Sequence, residues 1–240
     1  MTASVTVMPG GGISQRPLHF FILADCSGSM KANGKMQALN FAIASMLPHL
    51  AAWEKDQEQA QVLLRAIAFA DRAEWHIADP VPVAAARWTA LQPVDKGLTY
   101  MGSAFRLAAE ALAPGRLETR ALRPVILLIT DGKPTDPDEF ESGLRALFAC
   151  RAGKAAIRVA VAIGRGANSE YLARFINDPA VPVLVADSVE QITEQLMTAS
   201  LAVSRLSEVG ADRGAVLSRL MPPLPAAAAT PETVDGDTIV

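Results

Sequence analysis

Two kinds of apolar pattern alternate along this chain. Nearly continuous apolar runs occur at Leu18 to Ala24, Leu63 to Phe69, Pro124 to Thr130 and Ile157 to Ile163. Runs of that length, bounded by loop signals, predict strands buried on both faces. Two weaker runs, Glu74 to Ala78 and Val181 to Val185, predict shorter strands. The first of these follows its predecessor through a tight turn at Asp71-Arg72, which makes the pair antiparallel. Between the strands lie segments of helical spacing. Lys35 to Trp53 carries Met36, Leu39, Ile43, Met46, Leu47 and Leu50 on one face, and Pro48 is expected to distort it. Further helices are predicted at Ser103 to Leu112, Asp138 to Cys150, Ser169 to Ile176 and Val189 to Val203. The third of the five helices has Asp and Glu in its first turn, where the helix dipole favours negative charge. Strands that alternate with helices predict a doubly wound, Rossmann-like α/β domain. Its six-stranded sheet is mostly parallel, with helices on both faces and one antiparallel edge strand.

Composition narrows the class. The chain has 240 residues, enough for one α/β domain with tails and a core that needs no disulfides. Residues 1–16 contain Gly10-Gly11-Gly12 and no periodicity, and are read as a flexible leader. Residues 206–240 are read as a frayed helix and a disordered tail rich in proline, alanine and acids. The formal net charge of −3 argues against general nucleic-acid binding. The two cysteines, Cys26 and Cys150, make no disulfide framework, so both are expected as free thiols in a reducing, cytoplasmic setting. Nothing resembles a signal peptide, and no apolar stretch is long enough to predict a membrane span.

The chemistry gathers in three loops. Asp25-Cys26-Ser27-Gly28-Ser29 directly follows the first strand, Asp131-Gly132 follows the strand PVILLIT, and Thr99 lies in a loop just before a helix. In open α/β sheets ligands bind beyond the carboxyl ends of strands. Asp25, Ser27, Ser29, Thr99 and Asp131 can therefore converge as five oxygen donors. That set suits a hard divalent cation, Mg²⁺ first, with Mn²⁺ or Ca²⁺ as alternatives. Hydroxyls are weak ligands, so a site with two carboxylates stays electrophilic and can accept an outside carboxylate. No His or Cys cluster points to zinc.

At these residues the chain resembles the von Willebrand factor A family. Asp25, Ser27 and Ser29 match the family's D-x-S-x-S motif, and Thr99 and Asp131 match its threonine and second aspartate. The resemblance covers roughly Leu18 to Val203, giving a domain at 17–205. It implies strand order 3-2-1-4-5-6, a metal-ion-dependent adhesion site and a role in protein binding without catalysis. The wording D-C-S-G-S-M with L-I-T-D-G-K-P-T-D looks most like TerY-type proteins of bacterial tellurium-resistance and stress clusters. That finer likeness implies a scaffold working beside a protein kinase and a PP2C-type phosphatase. The alternative is a partner of a MoxR- or chelatase-like AAA+ ATPase. Leu98 departs from the family, where a smaller residue often precedes the threonine.

Other polar residues have plainer roles open to them. Lys133 and Asp136 flank the site and are candidates for a partner-binding rim, or solvated loop charges. Asp71 is read chiefly as a turn former, with a place behind the metal ligands as the alternative. Cys26 is read as a packed small residue and Cys150 as core. His19, His49 and His76 are scattered, and no Ser–His–Asp order is visible, which leaves a metal-dependent hydrolase as the weakest reading.

Overall fold

A sheet of six strands in the order β3-β2-β1-β4-β5-β6 organises the molecule, a computed structural model that describes residues 15–57, 59–164, 169–188 and 190–195. The strands are β1 (Arg16–Asp25), β2 (Ala60–Phe69), β3 (Ala73–Pro82), β4 (Val125–Thr130), β5 (Ile157–Ile163) and β6 (Leu184–Ala186). All pairs are parallel except β2 with β3. The helices are α1 (Lys35–Gln57), α2 (Met101–Ala111), α3 (Pro137–Ala149), α4 (Arg151–Ala155) and α5 (Ser169–Ile176). The expected strand order and the antiparallel edge are both present.

Burial explains the strand patterns. Every residue of β4 and β5 is buried, as befits central strands covered by helices on both sides. β3, at the edge, is mostly half-exposed or exposed and carries Pro80 and Pro82. An edge strand tolerates proline because one row of its N–H groups has no partner. That tolerance is why β3 runs past the expected end at Ala78.

Other boundaries also shifted. α1 passes through Pro48 and continues to Gln57, and Pro48 lies on an exposed face where the lost N–H bond faces solvent. α2 begins at Met101, two residues before the expected Ser103 and two after Thr99. β6 starts at Leu184 instead of Val181. The helix expected from Asp138 to Cys150 spans Pro137–Ala149, ends where Cys150 is extended (φ −84°, ψ 136°), and is followed by a short α4 that was not expected. Cys150 is half-buried, and its sulfur accepts the Gly153 N–H at 3.1 Å, so it caps a helix in addition to packing. Arg16 belongs to β1 and not to a leader. Residues 190–195 are helical; the remainder of the predicted Val189–Val203 helix, residues 1–14 of the leader and the tail 206–240 lie outside the described residues.

Three features join α2 to its neighbours at the sheet's carboxyl end. α2 and α3 touch backbone to backbone: a Cβ on Gly143 would lie 2.2 Å from the Gly102 carbonyl oxygen. Phe105 of α2 then stacks on Phe175 of α5, with ring centroids 5.1 Å apart, and meets Phe140 of α3 edge to face at 5.5 Å. The Glu139 carboxylate completes the clasp by accepting from Gly102 N at 2.9 Å and Arg106 Nη2 at 2.6 Å.

Candidate metal centre

The chain direction across the sheet reverses between β1 and β4. β1 connects toward β2 on one side, and β4, β5 and β6 extend on the other. At such a switch point the loops after neighbouring strands diverge and leave a crevice. Asp25 ends β1 and Asp131 directly follows β4, so both carboxylates stand at that crevice.

Asp25 is fully buried and both its oxygens are engaged. Oδ1 accepts the Ser27 backbone N–H at 2.7 Å, and Oδ2 accepts the Thr130 hydroxyl at 2.6 Å. These bonds fold the loop after β1 back over the strand end and tie it to β4. Burial pushes the Asp25 carboxyl up to about 6 against an ordinary 3.8, because desolvation outweighs the hydrogen bonds and the nearby Asp131 charge adds to it. A positive charge in the crevice would relieve that penalty.

From Asp25 the oxygens continue outward. Ser27 Oγ lies 3.1 Å from Ser29 Oγ, and Ser29 Oγ donates to Asp131 Oδ1 at 2.7 Å. Asp131 Oδ2 accepts from the Lys35 ammonium at 2.7 Å. Thr99 is buried, and its hydroxyl sits beside the Asp131-Gly132 backbone: a Cβ on Gly132 would be 3.7 Å from Thr99 Oγ1. The structure therefore brings all five sequence-predicted donors to one place. Four form a single hydrogen-bonded chain and Thr99 lies alongside.

The Thr99 loop is held from every side. Thr99 N donates to the Thr135 hydroxyl at 2.9 Å, and Thr135 N donates to the Thr99 carbonyl at 3.1 Å. Leu98 N donates to Asp71 Oδ1 at 2.6 Å, and Tyr100 N to the Ala70 carbonyl at 2.9 Å. Gly28 N donates to the Gly97 carbonyl at 3.0 Å, and a Cβ on Gly28 would meet Lys96 N at 3.2 Å, so the two loops are in backbone contact. Asp71 thus does more than form the turn after β2. It also fixes the residue before the site threonine.

Of the two rim candidates, Lys133 is exposed beside the site. Asp136 is the N-cap of α3. Its Oδ1 accepts from Asp138 N at 3.0 Å and Glu139 N at 3.1 Å, which commits that oxygen to orphan helix donors. Cys26 is buried between the ligand positions, and burial pushes its thiol up to about 12, so it is inert packing. The sequence reading missed Lys35, Thr130 and Thr135. Thr130 was visible as the residue before Asp131. Nothing in the helical periodicity of α1 marked its first residue, Lys35, as part of the site.

The donor set fits a hard cation. Among the described residues no group of three or more His, Cys, Asp or Glu side chains gathers, so a soft or nitrogen-rich site is not built here. What gathers is two carboxylates and three hydroxyls, with an ammonium already drawn against one carboxylate. Hard divalent ions take such oxygen ligands and commonly keep water as well.

A model of the von Willebrand factor type A domain matches residues 20–198. No curated protein matches the sequence. Among solved structures, the chain is similar to a von Willebrand factor type A protein from Catenulispora acidiphila, with 18% identity and a TM-score of 0.60, over 79% of this chain and 43% of that one. It is also similar to proximal thread matrix protein 1 from the mussel byssus, described with a zinc-occupied MIDAS motif, with 15% identity and a TM-score of 0.58, over 78% and 48%. A third is the ArnB paralog VWA2 from Sulfolobus acidocaldarius, with 15% identity and a TM-score of 0.56, over 77% and 45%. The chain spans less than half the length of these structures. At such identities the likeness concerns the fold alone.

Proposed function

Because this chain belongs to the von Willebrand factor type A family, we propose that its oxygen cluster holds one divalent cation, Mg²⁺ by preference, and uses it to bind a protein partner through an Asp or Glu. The observation that carries the reading is the convergence of Asp25, Ser27, Ser29, Thr99 and Asp131 at the β1/β4 crevice, with the Ser27–Ser29–Asp131 oxygens in hydrogen-bond contact. Ser27, Ser29 and Thr99 would be direct ligands, and Asp25 and Asp131 would act directly or through water. When bound, the ion supplies a concentrated positive charge that an incoming carboxylate can neutralise.

The residues of the chain do the remaining work. Asp25 and Thr130 lock the loop after β1 to the strand ends. Asp71 and Thr135 set the height of Thr99. Val94 and Leu98 stand out as exposed large apolar side chains in the same loop, 42% and 43% accessible. Beside them runs a cleft of about 310 Å³ lined by Cys26, Ala70, Asp71, Leu91 and Val94. Apolar side chains around a charged centre suit a protein surface, where an acidic anchor is flanked by apolar contacts.

Binding is favoured over catalysis by the placement of the histidines. His19 lies in the first half of β1 and pairs with Glu118 at 2.7 Å, His76 packs against Trp88, and His49 is exposed on α1. Among the described residues the Ser27 hydroxyl is hydrogen-bonded to Ser29 and to no imidazole, so no Ser–His pair is assembled here. The finer reading is a cytoplasmic scaffold of the TerY type, serving a kinase and a PP2C-type phosphatase. It rests on the D-C-S-G-S-M and L-I-T-D-G-K-P-T-D wording. Among the described residues no helix is long and apolar enough to cross a membrane.

Affinity capture with wild type and Thr99→Ala, in Mg²⁺ and in EDTA, tests the function. The partner should bind wild type in Mg²⁺ and be lost in EDTA and with Thr99→Ala. Equal capture in all four arms would place recognition elsewhere on the domain.

A further inference from the structure

Lys35 is placed with unusual care for a charged residue at a helix start. The 3₁₀ segment Gly28–Gly34 leaves the site after Ser27, turns back through Asn33 (φ 55°) and Gly34 (φ 69°), and delivers Lys35 as the first residue of α1. Both turning residues use left-handed backbone, which Asn and Gly tolerate best. The lysine's stem then passes Gly164, where a Cβ would lie 3.9 Å from Lys35 Cε, and its ammonium reaches Asp131 Oδ2 at 2.7 Å. The Asp131 side chain has no solvent exposure, and that of Lys35 keeps 23%. The ammonium therefore has a route to solvent that the carboxylate lacks.

Asp131 is the carboxylate that a divalent ion would need. Its Oδ1 faces Ser29, a proposed ligand, and its Oδ2 faces Lys35. An ammonium and a divalent cation cannot both sit against this carboxylate without mutual repulsion, which is strong at short range in a partly desolvated site. We infer that Lys35 is a tethered competitor for the metal: its ammonium holds Asp131 against the divalent ion, and loading requires the flexible stem to swing outward. The tether has two consequences. It lowers metal affinity below what the oxygen set alone would give. It also keeps a buried carboxylate paired whenever the ion leaves, so release does not strand an uncompensated charge. This inference rests on the metal reading proposed above.

Calorimetric titration with MgCl₂ of wild type, Lys35→Met, Lys35→Arg and Asp131→Ala tests it, alongside thermal unfolding in EDTA and in Mg²⁺. Methionine keeps the length of the stem and removes the charge. Lys35→Met should bind Mg²⁺ about fivefold more tightly than wild type, the scale of a partly exposed ion pair. Lys35→Arg should stay within about twofold, because the charge is retained. In EDTA, Lys35→Met should melt a few degrees below wild type, and Mg²⁺ should raise its melting temperature by more than it raises wild type. If wild type binds Mg²⁺, Asp131→Ala does not, and Lys35→Met binds with unchanged or weaker affinity, the competitor role is wrong while the metal site stands. If neither wild type nor Lys35→Met binds Mg²⁺, both readings fall together. Should Lys35→Met not fold, Lys35→Gln gives the same comparison.

Discussion

Thr99 and Gly102 belong to one short stretch of chain but to two different kinds of structure. Gly102 opens the clasp of α2 against α3, where backbone meets backbone, three aromatic rings pack together and neither glycine has room for a Cβ. Thr99 belongs to the oxygen cluster, where the contacts are hydrogen bonds among hydroxyls, carboxylates and one ammonium. The clasp is stabilised by close packing and loses heavily from any misfit. The cluster is buried yet polar, and it concentrates charge that only a cation can fully offset. Stability and binding are thus set by adjacent parts that should respond to substitution in separate ways.

The clasp gives the largest expected effect. Gly143→Ala places a Cβ 2.2 Å from the Gly102 carbonyl oxygen, so α2 and α3 must part. Urea unfolding should show a loss of at least about 3 kcal/mol, at the upper end for overpacking. A loss below about 1 kcal/mol would mean that the helices separate easily and do not brace the site.

Asp25 is the next largest, and its effect depends on pH. Its folded pKa of about 6 lies above the ordinary 3.8. Between those values the folded protein holds a proton that the unfolded chain has released. Stability therefore falls as pH rises through that window and stays lower above it, by roughly 3 kcal/mol for a shift of this size. In EDTA, Asp25→Asn should remove this fall, so the melting temperature of the variant relative to wild type should be higher at pH 8 than at pH 4. A relative melting temperature that does not change with pH would show that Asp25 is not desolvated as its burial implies.

A smaller effect is expected from the support of the Thr99 loop. Asp71→Ala frees the Leu98 N–H and should weaken Mg²⁺ binding by about 1 kcal/mol, or roughly fivefold, the worth of one hydrogen bond. The clasp should be untouched, so unfolding free energy should change less than Mg²⁺ affinity does. The smallest effect belongs to Lys133→Ala. An exposed rim charge should alter Mg²⁺ affinity by less than about 0.5 kcal/mol and show itself chiefly in the salt dependence of partner binding.

The sequence carried the fold through its apolar runs, because buried central strands such as PVILLIT leave little ambiguity of type or place. It carried the five donors because two of their loops directly follow strands that were themselves legible. It offered Asp71 behind the site only as an alternative, and it did not carry Thr130 or Thr135. These residues act through hydrogen bonds to groups that the fold brings near, a relation that has no periodicity. Lys35 is the first residue of the helix that apolar spacing predicts, and that spacing says nothing about where its ammonium goes. Asp136 is a rim candidate because it flanks the site in sequence, and its second role, Oδ1 capping the first turn of α3, depends on local backbone geometry. The limits of β3 were misplaced for a related reason: proline marks an end in a central strand but not on an edge.

The central claim is that the cluster at the β1/β4 crevice holds one divalent cation. Calorimetric titration with MgCl₂ of wild type, Asp131→Ala and Thr99→Ala at pH 7.5, about 1.5 pH units above the Asp25 value of about 6, tests it most directly, with MnCl₂, CaCl₂ and ZnCl₂ as further arms. One ion should bind wild type, Thr99→Ala should bind it several-fold more weakly, and Asp131→Ala should not bind it, while all three proteins unfold with similar cooperativity in urea. Equal affinity in the three proteins, for whichever ion binds, would contradict the assignment.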